Sequence, residues 1–112
     1  MAVAGLDIGQ FEKVATEVAG ILRALANERR LMVLCELAQA DEANVGQLVE
    51  AAGLSQSALS QHLAKMREEG LVKFRRDGQT LWYRIADPRI HEVLKTLQRL
   101  YCPPAKANRK RS

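Results

Sequence analysis

The feature that most constrains this chain is a change of hydrophobic period at Gly70. Before it, "LSQSALSQHLAKMREEG" places Leu59, Leu63 and Met66 along one helix face, with Ser55 as the N-cap. After it, "LVKFRRDGQTLWYRIA" alternates: Leu81, Tyr83 and Ile85 interleave with Thr80, Trp82 and Arg84, and Asp77-Gly78 reads as the two-residue turn of a hairpin. Upstream, "VGQLVEAAG" is a short helix with Val45, Leu48 and Val49 inward and Gly53 as its stop. Two helices across so short a turn form a helix-turn-helix. The basic hairpin is then its wing, so the expected fold is mainly α, an α+β winged helix.

The flanks are helical. From Phe11 the residues Val14, Val18, Ile21, Leu22 and Leu25 recur at helical spacing. Asn27 caps a second helix, "ERRLMVLCELAQA", apolar almost all round through Leu31, Met32, Val33, Leu34, Cys35 and Leu37, which predicts a buried element. A polar break, "DEAN", follows it. Asp87-Pro88 opens a last helix whose stripe is Ile90, Val93, Leu94, Leu97, Leu100 and Tyr101, stopped by Pro103 and Pro104. The expected division is an N-terminal arm (1–10), the winged helix (11–102) and a basic tail (103–112).

A chain of 112 residues supports one domain, and a helical protein of this size often completes its core by dimerising. The net charge of +4 suits an acidic partner such as nucleic acid or a membrane surface, although Lys106, Arg109, Lys110 and Arg111 of the tail supply part of it. No apolar stretch approaches the roughly 20 residues of a membrane span. The start lacks the charged region and long apolar core of a signal peptide. A cytoplasmic location is expected, where Cys35 and Cys102 stay reduced. They are not in Cys-x-x-Cys spacing and no Gly-rich or cis-Pro loop pattern accompanies them, which disfavours a thiol oxidoreductase; no enzyme activity and no cofactor are expected.

Off the apolar stripe, the next-to-last helix offers Gln56, Ser57, Ser60, Gln61, His62 and Lys65, beside the cap Ser55 and Gln47 of the preceding helix. Short and amide side chains near a helix N-terminus are what a recognition helix presents to base edges in the major groove. Lys65 reaches for phosphate, and Arg75, Arg76, Gln79 and Arg84 of the hairpin would position the backbone. The bland alternative is a solvated helix face beside a soluble hairpin, as in a winged helix used for protein interaction. For His62 alone, a bond to a neighbouring group is as good a reading as DNA contact.

The entry "LRALANERRLMVLCEL", then "VGQLVEAAGLSQSALSQHLAKMREEGLV" and "RRDGQTLWYRI", resembles the ArsR/SmtB family of bacterial winged-helix repressors, over nearly the whole chain from Val14 to Cys102. The resemblance implies a homodimer paired through its first and last helices, bound to a palindromic operator and released by an inducer. Phe11, Val14, Val18 and Ile21, with Ile90, Val93, Leu94, Leu97, Leu100 and Tyr101, are the stripes such an interface would need.

Many members sense metals. Their thiolate sites use a Cys-x-Cys pair on the helix before the recognition helix, where this chain has "NVGQLVE". Sites on the last helix use an Asp-x-His pair with a further His and Glu; here Asp87, His91 and Glu92 have the wrong spacing. A metal site would have to be assembled from Cys35, Cys102 and His91, short of the four N or S ligands usual for structural zinc. The cysteine positions instead resemble the redox- and persulfide-sensing branch, in which one cysteine of the second helix and one at the end of the last helix come together. Taken alone, Cys35 reads as a small packing hydrophobe. Cys102, at the helix end, is harder to explain in that way. What the resemblance implies is a bridge between them, formed with a persulfide or an oxidant, that weakens operator binding.

Overall fold

Each helix starts where a side-chain oxygen takes up a first-turn N–H that the helix itself cannot satisfy. In a computed structural model describing residues 2–102, Asp7 accepts from the Gln10 N–H and opens α1 (Ile8–Leu25), and Asn27 accepts from Arg30 and opens α2 (Glu28–Ala40). Asn44 and Gln47 form a reciprocal capping box at α3 (Val45–Ala52). Ser55 caps α4 (Gln56–Glu68), and Asp87 with Pro88 starts α5 (Pro88–Tyr101). The basic tail and the Pro103-Pro104 stop lie outside the described residues.

Helix ends are equally local. Gly53 closes α3 in the left-handed region, φ 64°. At the end of α4, Leu71 N–H reaches Met66 O at 2.9 Å and Gly70 N–H reaches Arg67 O at 3.1 Å, with Gly70 at φ 77°. This is the Schellman arrangement, and its apolar partner Leu71 is fully buried. It delivers the chain straight into β2 (Val72–Asp77), which turns back as β3 (Thr80–Ile85).

The sheet is antiparallel, in the order β1-β3-β2. β1 (Ala43–Asn44) falls in the polar break: Ala43 pairs with Tyr83 and Asn44 with Trp82. The β2–β3 register pairs Asp77 with Thr80, so the two turn residues are Gly78 and Gln79 rather than Asp77 and Gly78. Gly78 has φ 63° and Gln79 does not have positive φ. Glycine at the first central position is the demand of a type II′ turn, and this sets the turn one residue later than the Asp-Gly reading.

One core holds the elements together. It is built from Val33, Leu34 and Leu37 of α2, Leu48 of α3, Leu59, Leu63 and Met66 of α4, Tyr83 of β3, and Ile90 and Leu94 of α5. Complete burial of a leucine contributes about 1.5–3 kcal/mol relative to exposure, so the α4 stripe alone fastens the recognition helix firmly. No helix among the described residues is long and apolar enough to cross a membrane.

Three expectations are corrected. α1 begins at Ile8, not Phe11, because Asp7 is a better cap than anything nearer Phe11. α2 is buried on one side only: Met32 is exposed and Leu31 and Cys35 are half-buried. Finally, Ile90 and Leu94 are 1% and 3% exposed and belong to the protomer's own core, while Ile21 packs against that core from α1. Ile90 and Leu94 are thus covered within the chain and are not surface for a partner, and Ile21 is partly covered in the same way.

Candidate functional site

The face of α4 away from the core presents Gln56, Ser57, Ser60, Gln61 and Lys65, all exposed. Ser57, Gln61 and Lys65 follow one another at i, i+4 spacing, with Gln56 and Ser60 alongside, so they form one polar stripe that starts at the helix N-terminus. Three other candidates are committed elsewhere. Ser55 Oγ accepts from Ala58 N–H at 3.1 Å as the cap. Gln47 Oε1 accepts from Asn44 N–H at 2.8 Å in the capping box of α3. His62 is half-buried, and its Nδ1 accepts from Arg30 Nε at 3.4 Å, which takes it off the exposed stripe.

The wing divides in a similar way. Arg75 donates from Nε and Nη2 to the Glu42 carboxylate at 2.9 and 3.0 Å and lies 5.8 Å from the Trp82 ring centroid. The hydrogen bond from Arg75 holds the Glu42 carboxyl below the usual carboxylate range. Arg84 approaches Asp41 at 3.7 Å. Both arginines therefore brace the hairpin against the α2–β1 junction. Arg76 and Gln79 stay exposed towards the wing tip, and Arg76 has no acidic partner within ion-pair distance among the described residues. Arg67 at the end of α4 stacks over Phe74 of β2, 4.8 Å from its centroid, joining recognition helix to wing.

The sequence reading overlooked Arg29 and Arg30. Arg29 Nη1 donates to Ala52 O at 3.0 Å, and Arg30 reaches Ala24 O, Glu69 and His62. The doublet in "NERRL" was the only signal available: two cations in a helix's first turn oppose its dipole and call for an outside reason.

The second constellation is the thiol pair. Both cysteines are free; Cys35 is half-buried on α2 and Cys102 is exposed, as the C-cap of α5. α2 and α5 pack against each other. Burial pushes the Cys35 thiol above the ordinary thiol range, and the negative charge of a Cys102 thiolate pushes it further in the same direction, so the two sulfurs feel each other's charge. His91 does not join them: its Nε2 lies 3.2 Å from Ala38 O. Among the described residues, no group of three or more His, Cys, Asp or Glu side chains is placed to hold a metal ion.

A helix-turn-helix with a polar recognition stripe, backed by a basic antiparallel hairpin, defines the winged-helix class of DNA-binding proteins. Residues 27–73 match the model of the bacterial regulatory protein family arsR. The chain is 38% identical to the transcriptional regulator YgaV of Escherichia coli, over 87% of this chain and 98% of that one. It is 42% identical to the transcriptional activator HlyU of Vibrio cholerae, over 88% and 91% of the two. The crystal structure of the transcriptional repressor BigR from Xylella fastidiosa superimposes with a TM-score of 0.81 at 33% identity, covering 88% of this chain and all (100%) of that one. The protein belongs to the ArsR family of bacterial transcriptional regulators.

Proposed function

We propose that this protein is a cytoplasmic homodimeric repressor whose affinity for a palindromic operator is switched by a covalent bridge between Cys35 and Cys102. Base reading falls to Gln56, Ser57, Ser60, Gln61 and Lys65, and backbone contact to the wing through Arg76 and Gln79. The exposed remainder of the helical stripes supports dimerisation. Phe11, Val14 and Leu22 of α1 and Leu97, Leu100 and Tyr101 of α5 leave large apolar side chains exposed to solvent, which a second copy would cover.

Cys102 carries the thiol part of this function: it is exposed, and its charge is felt by the half-buried Cys35. The thiolate is the nucleophile in sulfur exchange. Cys102 attacks the outer sulfur of a low-molecular-weight persulfide, R–S–SH, and expels R–S⁻, which leaves Cys102 as its own persulfide. Cys35 then attacks the inner sulfur of Cys102. A Cys35–Cys102 disulfide forms, and the outer sulfur departs as hydrogen sulfide. Two cysteine persulfides condense likewise to a trisulfide with loss of hydrogen sulfide. Tying α2 to α5 in this way biases the spacing of two recognition helices that must meet successive major grooves about 34 Å apart.

Intact mass spectrometry after glutathione persulfide, peroxide or diamide, run beside DNA binding by the same samples, tests this. Wild type is expected to gain a bridge, with or without whole sulfur atoms, and to lose affinity for its operator, while Cys35→Ser keeps it. Wild type that binds equally well before and after bridging would sink the proposal.

A further inference from the structure

The first turn of α2 puts two arginines side by side, and each grips a different helix of the helix-turn-helix. Arg29 Nη1 donates to Ala52 O at 3.0 Å, the last carbonyl of α3, at the turn itself. A Cβ added to Gly53 would meet that same Nη1 at 3.2 Å. Arg30, whose side chain is only 14% exposed, spreads over three partners: Ala24 O at the end of α1 (3.3 Å), His62 Nδ1 (3.4 Å) and Glu69 Oε1 (3.3 Å). His62 and Glu69 lie seven positions apart, two helical turns, on one face of α4 and its C-cap. One planar guanidinium thus holds the recognition helix near its middle and at its end.

We infer that Arg29 and Arg30 are the positioning residues of the reading head: they fix α3 and α4 to the helix that carries Cys35, so that operator recognition depends on them through the protein and not through DNA. The argument rests on cost. Two cations in the first turn of α2 oppose the helix dipole and do nothing for α2 itself. Arg30 additionally gives up much of its hydration, which only several hydrogen bonds can offset. Lysine cannot replace it, because a single ammonium on a flexible stem lacks the fork that reaches partners in different directions. His62 takes the Arg30 Nε–H on Nδ1, and this contact turns its ring away from the polar stripe. The inference builds on the DNA-binding role of the family and not on the thiol switch.

The test uses full-length reduced protein, kept under reductant so that failure here and failure of the thiol switch are separate results. A duplex selected by wild type from a random-sequence pool serves as operator, with an unselected duplex as control. Arg30→Lys is expected to lower affinity for the selected duplex by about tenfold or more, to leave the unselected duplex within about twofold, and to leave the salt dependence of binding unchanged. His62→Ala is expected to act in the same direction, and the double variant to be less impaired than the sum of the two, as for residues in direct contact. Thermal melting by circular dichroism checks that each variant folds. Equal loss on both duplexes, with the salt slope reduced by about one phosphate contact, would make Arg30 a DNA contact and overturn the inference. Full operator affinity of Arg30→Lys would overturn it too. Should Arg30→Lys fail to fold, His62→Ala decides alone, and unchanged operator affinity in that variant rejects the clamp.

Discussion

Burial and a neighbouring negative charge act on Cys35 in the same direction, and both oppose its ionisation. Cys35 is therefore held protonated at neutral pH, which suits the resolving role proposed for it, while the exposed Cys102 is the thiol open to reagent. Peptide-resolved iodoacetamide labelling is expected to modify Cys102 well ahead of Cys35 near pH 7. The rate at Cys35 should climb about tenfold per pH unit and level off only above the ordinary thiol range. Cys102→Ser removes the charge but not the burial, so the Cys35 profile should move to lower pH without reaching that of a free thiol. An unmoved profile would mean that the two sulfurs do not sense each other. The caps Asn27, Ser55 and Asp87 were legible in the sequence because a cap acts on N–H groups two or three residues away. Arg30 was not, since its partners His62 and Glu69 lie 32 and 39 positions along the chain, and a reach of that length leaves no periodic mark.

Periodicity located the elements of the reading head because each is long enough to repeat. α4 offers several turns of stripe, and the hairpin several alternations, whereas β1 has two residues and no period to detect. The stripe of α4 also predicts stability. Leu59→Ala, at a fully buried position, should cost about 2–5 kcal/mol, measured as a drop in the urea midpoint. A wing charge is harder to read from sequence: Arg75 and Arg76 look alike there and both are exposed, and only the fold shows that Glu42 pairs with the first and not with the second. Glu42→Gln releases Arg75. Binding to an unselected duplex should then tighten severalfold, and its salt slope should steepen by about one phosphate contact. An unchanged slope would show that Arg75 stays out of reach of the backbone.

For the whole molecule, an apolar stripe in the sequence states that a face is buried but not by what. α5 divides: Ile90 and Leu94 go into the protomer's own core, while Leu100 and Tyr101 remain 62% and 80% exposed. That division needs the packing of α5 against α2 and β3, which no single-helix pattern contains. Leu100→Glu should therefore leave the fold intact and shift the proposed dimer to monomer in sedimentation. Operator affinity should fall by about a hundredfold as the second half-site stops helping the first. A variant that stays dimeric would move the interface off α5.

The exposed half of α5 runs directly into Cys102. In the proposed dimer, the thiol assigned above to meet the inducer would stand at the rim of the surface where two copies meet. Association and bridging are then linked equilibria, each moving the other by the same factor. The number of copies a cell keeps becomes part of the sensor's calibration, and dilution alone would reset the inducer level at which half the population responds.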